Sequence, residues 1–493
     1  MVDVPVPVQA VLVLVRVVVA KMKSWKQFWE GWSTGRGVNH SYSLPLPGLY
    51  KFDFQEAGER SRIHLRIDGD LSSGKGSGIL LVNANRVIHL NPTAALMAYL
   101  YLRQFTEREA ISILQSAYQV SKSQATSDYT QFCGDFSQLI RPDGACPICD
   151  LDIEVRAPFS STPSAPYRMD LALTYRCNNA CPHCYNARSR DFGELPTGDW
   201  FKIIDRVWEN AIPHIVFTGG EPTLRDDLPE LIAYAESKGQ ITGLNTNARR
   251  LQDTKFLTKL VEAGLDHIQI TVESHSAPIH DQMVASKGAW KQTISGLKNA
   301  LETPLYVMTN TTMLQQNSPY LAETLDFLAE LGVPTIGLNA LIHAGHGATV
   351  GTGLNERELP PLLNLARDKT GLYGQRLIWY TPTQYCNFDP MQLELGVKGC
   401  TAALYNMCIE PDGAVLPCQS YYQPVGNMLN DPWDEIWNHE LSQYLRERKY
   451  IPEKCIPCSL LPECGGGCPL SLHANDSASI PLEEILSPFH TPS

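Results

Sequence analysis

The pattern of apolar and polar positions changes character near residue 169. From there, short apolar runs alternate with segments of helical spacing. The runs MDLALTY, HIVFT, ITGLNT, HIQITVE, LYVMTNTT and TIGLNALI read as strands. Between the first two, Trp200, Ile203, Ile204, Val207 and Trp208 follow the i, i+3, i+4, i+7, i+8 spacing of a half-buried helix, and FLTKLVEAG and LAETLDFLAELG behave alike. Six strand–helix units in succession predict a parallel sheet with right-handed crossovers, over residues 169–345. Periodicity alone leaves open whether such a sheet closes like a barrel.

Upstream the order differs. LYKFDF, IHLRI and GILLVNANRVIHLN read as three strands, with a turn at Asn83–Asn85. AALMAYLYLRQF, EREAISILQSAYQV and SDYTQFCGDFSQLI then read as three helices, the last capped by Ser127 or Asp128. This places a small domain over 48–143, followed by a linker over 144–168 that includes the Pro/Ser-rich APFSSTPSAPY. Residues 346–395 are a mixed connector. Residues 396–470 show short strands and turns among cysteines, and 471–493 form a polar tail. Residues 1–47 are irregular. Their opening apolar run contains Arg16 and follows Asp3, which makes a poor signal peptide and a poor membrane span. Either a start at Met22 or an interfacial segment accounts for it.

Composition narrows the class. Of 493 residues, 43% are apolar and 19% charged, as in a folded globular protein. A net charge of −12 argues against binding the phosphate backbone of nucleic acid. Fourteen cysteines are absent between Cys184 and Cys386 and crowd on either side. Tight pairs and triplets of this kind suit metal ligation in a reducing compartment better than a secreted disulfide framework. A cytoplasmic protein is expected.

Cys177-Asn-Asn-Ala-Cys181-Pro-His-Cys184 places three thiolates in one loop directly after the first strand. Four cysteines would close a structural zinc or ferredoxin-type site; three leave one metal corner open to a substrate. The competing reading is a zinc knuckle completed by His183. In parallel βα folds, ligands gather at the C-terminal ends of the strands, where this loop begins. The second strand ends in Thr218-Gly219-Gly220-Glu221-Pro222. Its glycines admit a ligand close to the backbone, and Glu221 offers an acceptor for an ammonium group.

With these motifs the chain resembles the radical S-adenosylmethionine (SAM) superfamily, whose CxxxCxφC pattern matches Cys177, Cys181 and Cys184. The resemblance covers about residues 166–345 and implies a partial (β/α)6 barrel of the α/β class. It further implies a 4Fe–4S cluster on those three cysteines whose open iron chelates SAM. One electron, from a donor such as flavodoxin or ferredoxin, would then cleave SAM to a 5′-deoxyadenosyl radical that takes a substrate hydrogen. Gly219, Gly220, Glu221 and Pro222 would receive the methionine ammonium. Asn245 and Asn247 would face SAM, and Thr271, Glu273 and Ser274 would meet its ribose and carboxylate.

The second cysteine group reads Cys400-x12-Gly413-x4-Cys418, then Cys455-x2-Cys458-x5-Cys464-x3-Cys468. It resembles the SPASM extension of radical SAM enzymes, which holds auxiliary 4Fe–4S clusters, except that the family's last cysteine is missing. The resemblance implies that Cys400, Cys418 and Cys468 serve one auxiliary cluster, with Cys386 or Cys408 as candidates for its fourth ligand. Cys455, Cys458 and Cys464 would serve a second, whose fourth site is open or filled by His473, Asp476 or an N-terminal thiol. Cys386 is favoured as a ligand; Cys408 reads as a buried apolar residue, Cys133 as core packing, and Cys146–Cys149 as an ambiguous CxxC.

The small upstream domain resembles the PqqD-like, winged-helix-like peptide-recognition domain in its strand turn, in Leu90-Asn91 before the first helix, and in Asp128 at the start of the last. Such domains take a leader segment as an added strand. Leu96, Met97, Tyr99 and Leu100 are expected to wall the groove. The combined reading is radical modification of a ribosomally made peptide or protein side chain, with a precursor peptide or protein as partner and no transmembrane segment. The alternatives are the same chemistry on a cofactor or tetrapyrrole precursor, and a non-catalytic iron–sulfur scaffold.

Overall fold

The computed structural model describes residues 44–140, apart from 57–58, 73–75 and 84–85, and residues 163–475, together with two short backbone strands, β1 (Val15–Arg16) and β6 (Glu154–Val155). Cys146, Cys149, Asp476 and the side chain of His473 lie outside the described residues. The chain divides into two compact units, one spanning Ala10–Ser160 and the other built on Ser161–Ser493.

In the smaller unit, β2 (Gly48–Glu56), β3 (Glu59–Asp68), β4 (Ser77–Val82) and β5 (Arg86–Leu90) form an antiparallel meander. The third apolar run is therefore a hairpin folded at its Asn-rich turn, which makes four strands where three were expected. Strand β2 ends the sheet, whereas the β5 edge pairs in parallel with β1. Three helices follow: α1 (Pro92–Leu102), α2 (Glu107–Tyr118) and α3 (Lys122–Leu139). Asn91 caps α1, and Thr106 closes a capping box on α2. Ser121 caps α3, so Ser127 and Asp128 lie inside that helix, not at its start. Leu96, Met97 and Leu100 are 0–2% exposed in the domain's own core, beside Ile63, Leu65 and Ile67. They wall no groove, because the sheet of so small a unit has no other apolar layer to cover it. Cys133 packs half-buried against that core, as expected.

In the larger unit the six expected strands form in order: β7 (Arg168–Thr174), β8 (His214–Gly219), β9 (Ile241–Thr246), β10 (His267–Thr271), β11 (Tyr306–Thr312) and β12 (Thr335–Asn339). All pair in parallel. The helix over Thr197–Glu209 buries Trp200, Ile203, Ile204 and Val207 completely, while Trp208 stays partly exposed. The connector extends the sheet: a helix over Leu359–Leu372 leads to β13 (Arg376–Trp379), parallel to β12. At the other edge β14 (Asn406–Ile409), from the cysteine-rich region, pairs in parallel with β7 and antiparallel with β15 (Val415–Leu416). The nine-stranded order is linear from β13 to β15, so the barrel is open.

The sheet's two faces differ in kind. Leu244, Ile268, Ile270, Val307, Ile336 and Leu338 point into the core beneath the helices. The alternate residues facing the other way include Asn245, Gln269, Thr271, Asn310, Thr312 and Asn339, with Met308 and Gly337 in the same rows across β9–β12. A parallel sheet buried on both faces reads as continuous apolar runs. A polar inner face marks a space built for a polar ligand.

Deeper on that face, the His267 ring lies over Gly243, where an added Cβ would come within 2.2 Å of it, and its Nε2 is 2.8 Å from that of His214. Burial, with the Arg168 charge beside it, pushes the His267 pKa down to about 4. The unfolded chain binds that proton near pH 6.5, so this stabilisation is complete above about 6.5 and is lost as the pH falls toward 4. The loss amounts to about 3 kcal/mol. The thermal midpoint of the intact chain should drop over this range, and His267→Asn should flatten the drop; an equal slope in the variant would count against it.

Candidate active site at the strand ends

The loop carrying Cys177, Cys181 and Cys184 leaves the C-terminal end of β7. It makes little regular structure of its own and is held by side chains from neighbouring strand ends. Arg190 donates to the Cys177 carbonyl at 2.6 Å, and Arg249 donates to the carbonyl of Asn178 and to Asn179 Oδ1. Ala180 N–H bonds the Val284 carbonyl, and Gly347 N–H bonds the Cys184 carbonyl. Gly219 and Gly220 run so close to this end that a Cβ on either would meet the Thr174 or Arg176 carbonyl at 2.2 and 2.4 Å. These two positions require glycine.

The three thiols are free, mutually adjacent electrostatically, and mostly buried. Burial, reinforced by Glu221 and by the neighbouring thiols, raises Cys177 to about 11; burial likewise raises Cys181 and Cys184. Three such thiols gathered without disulfides form a soft donor set whose protons a metal cluster would displace. Among the described residues no three His, Cys, Asp or Glu donors close around a single ion. His183 Nε2 faces Glu273 Oε1 at 3.0 Å. Burial disfavours the charged ring, but the Glu273 carboxylate outweighs it and raises the pKa of His183.

Glu221 is 1% exposed and saturated within the protein. Its Oε1 accepts from Thr223 N–H at 3.1 Å and from the Thr223 and Thr246 hydroxyls at 2.6 Å; its Oε2 accepts from Asn247 N–H at 2.7 Å. Burial nonetheless raises its pKa. The side chain ties the end of β8 to the end of β9, and Pro222 opens the short turn behind it. Asn247 donates from Nδ2 to Asn178 Oδ1 at 2.6 Å and so reaches the cysteine loop. Glu273 binds His183 with one oxygen and accepts from Thr312 N–H at 2.9 Å with the other. Ser274 is fully buried, its hydroxyl accepting from Ser276 N–H and its carbonyl from Trp290 Nε1. Asn245 and Thr271 lie partly exposed on the polar inner face. Of the expected SAM-facing residues, Asn245, Thr271, Gly219 and Gly220 are partly exposed and the others are buried.

A third buried carboxylate has no motif in the sequence. Glu410, 0% exposed at the end of β14, accepts both hydrogen bonds of the Arg188 fork at 2.7 Å and the Tyr175 hydroxyl at 3.0 Å. Gln269, Asn310 and Asn339 also escape sequence reasoning, although their alternation with core positions was a usable signal.

The C-terminal cysteines fall into two groups. Cys400, Cys418 and Cys468 pack partly buried against the core, and burial raises all three, Cys418 to about 12. Of the other three, Cys455 and Cys464 are also partly buried and Cys458 is exposed. Cys386 follows Tyr385, whose N–H points at Cys464 Sγ of this second group, 3.4 Å away; the same segment bonds Lys398, where Thr383 N–H donates to the Lys398 carbonyl at 3.1 Å. Cys408 is fully buried among Ala172, Tyr175 and Leu416.

Residues 171–328 match the model of the radical SAM superfamily, and residues 400–459 that of an iron–sulfur cluster-binding domain, SPASM. Fe-coproporphyrin III synthase of Methanosarcina barkeri is 30% identical over 60% of this chain and 81% of its own length. PqqA peptide cyclase of Bradyrhizobium diazoefficiens is 27% identical over 69% of this chain and 91% of its own. Among solved structures, Streptococcus suis SuiB bound to its precursor peptide SuiA superposes with a TM-score of 0.60 at 18% identity, over 83% of this chain and 95% of that one. The chain belongs to the radical SAM superfamily and is an enzyme that uses 4Fe–4S clusters and SAM. No described helix is long and apolar enough to cross a membrane.

Two outcomes follow from this geometry. Changing Cys177, Cys181 and Cys184 together to Ala should abolish reductive conversion of SAM to 5′-deoxyadenosine and methionine while iron stays bound elsewhere; persistent cleavage would refute the site. Glu221→Ala leaves two hydroxyls and two amides facing a void, at a cost of about 3 kcal/mol. It should lower the melting temperature and also weaken SAM binding, measured by equilibrium dialysis.

Proposed function

We propose that this enzyme modifies a ribosomally made peptide or protein side chain. Cys177, Cys181 and Cys184 hold the SAM-cleaving cluster, which when bound supplies the electron that makes SAM a source of a hydrogen-abstracting radical. The chain's own residues bind and orient. The Gly219–Pro222 backbone accepts the ammonium of SAM, and Asn245 and Thr271 meet its polar groups from the inner face. Glu221 and Glu273 act behind them by fixing strand ends. An external one-electron donor of the flavodoxin or ferredoxin kind completes the system.

One observation carries the peptide reading. The likeness to SuiB extends over 83% of this chain, more than the barrel and SPASM regions together occupy, so it takes in part of the smaller unit. That unit is the PqqD-like module of this reading, and a sheet ending at β2 leaves backbone groups for an added strand. Beside β2 lies a partly exposed patch of Tyr50, Phe52 and Tyr99, over whose rings the Arg103 guanidinium stands at 5.5–5.9 Å. Aromatic rings with an Arg are the side chains that anchor peptide contacts most strongly.

The 30% identity to Fe-coproporphyrin III synthase favours a second reading, chemistry on a tetrapyrrole. Incubating the reduced enzyme and SAM with peptides from neighbouring short reading frames, and separately with Fe-coproporphyrin III, distinguishes the two by mass spectrometry. A mass change in a peptide is expected. Turnover of the porphyrin with every peptide unaltered would reverse the order. Arg103→Glu should raise KM for the peptide about tenfold, some 1.4 kcal/mol, with SAM cleavage unchanged.

A further inference from the structure

Residues 469–493 contain no cysteine, whereas Cys386, far upstream in the chain, lies next to the Cys464 segment in the fold. Residues 383–386 follow β13 and lie along the Cys464–Gly467 turn. Tyr385 N–H points to Cys464 Sγ at 3.4 Å, and that sulfur lies 3.7 Å from the Thr383 carbonyl. Gly467, at φ +84°, passes so near that a Cβ would meet Gln384 Cγ at 2.9 Å. The Tyr385–Cys464 contact fixes the backbone of residue 386 beside the group, and Cys386 is exposed, as is Cys458.

We infer that Cys386, Cys455, Cys458 and Cys464 form a closed four-thiolate site for one auxiliary 4Fe–4S cluster, and that Cys400, Cys418 and Cys468 hold the other with one iron open to an external ligand. The charge follows the burial. A cluster on three thiolates carries one negative charge fewer than one on four, and a low-dielectric interior penalises charge steeply. The set of three packs partly buried against the core, whereas two members of the set of four, Cys386 and Cys458, are exposed. Cys408 does not complete the set of three, because its thiol is held 3.8 Å from the Ile409 carbonyl among core side chains. The open iron would take a soft donor such as a thiolate.

The test uses the full chain carrying Cys177→Ala, Cys181→Ala and Cys184→Ala, reconstituted without oxygen. It should hold about eight irons, the content of two 4Fe–4S clusters, and on reduction show two electron paramagnetic resonance signals. Cys386→Ala should abolish or convert the signal that Cys458→Ala also affects, with loss of up to about four irons. It should spare the signal that Cys400→Ala affects. Cys386→Ser, whose hydroxyl can still bind iron, should keep the iron count and shift that same signal, which covers the case in which the alanine variant fails to fold. Added 2-mercaptoethanol should shift the signal tied to Cys400. Assignment of Cys386 to the Cys400 signal, no effect of Cys386→Ser on either signal, or a thiol response confined to the Cys458 signal would overturn the inference.

Discussion

Three carboxylates buried at strand ends hold the catalytic loop, and the rest of the site depends on them. Glu221 after β8, Glu273 after β10 and Glu410 after β14 are each at most 1% exposed. Each joins the loop or its immediate neighbour to another strand end: Glu221 through Asn247 to Asn178, Glu273 to His183, and Glu410 to Arg188. A buried carboxylate is costly unless every lone pair is engaged, so once satisfied it tolerates few alternative arrangements of its donors. A loop with almost no regular structure thereby acquires one conformation. For a cluster that must present an open corner to SAM, such pre-organisation is the useful property.

The same logic explains why the cysteine-rich region belongs to the barrel's own unit. Its strand β14 continues the parallel sheet beyond β7, which brings Glu410 against Arg188 and Tyr175. The opposite edge is extended by β13, whose following turn delivers Cys386 to the Cys464 segment. The two ends of one open sheet therefore both feed the auxiliary region. Backbone pairing therefore fixes the C-terminal cysteine region relative to the strand ends that carry the Cys177–Cys184 loop.

Much was legible in order along the chain. The six βα units, the Cys177–Cys184 loop at a strand's C-terminal end and the glycines after β8 were all legible, because periodicity and tight spacing are local properties of the chain. So was the burial of Cys408 and Cys133. Errors arose where a residue had two plausible partners. Leu96, Met97 and Leu100 have the spacing of a groove wall and equally of a core face; only the sheet beneath α1 decides. The cap of α3 was displaced because Ser121, Ser127 and Asp128 are all competent caps, and the helix's packing chooses among them.

The sequence by itself determined which thiols stand in threes, which strand they follow, and that three thiolates leave one corner of a metal cluster without a protein donor. Tertiary structure alone decided the partnerships. Glu221 looks like a ligand for an ammonium group until its four donors are in place. Glu410 carries no motif, and Cys386 stands nearer to Cys400 in the chain yet folds beside Cys464. Ligand sets and buried ion pairs are contacts between residues up to hundreds of positions apart. Their geometry comes from the order of strands in a sheet, which local spacing does not encode.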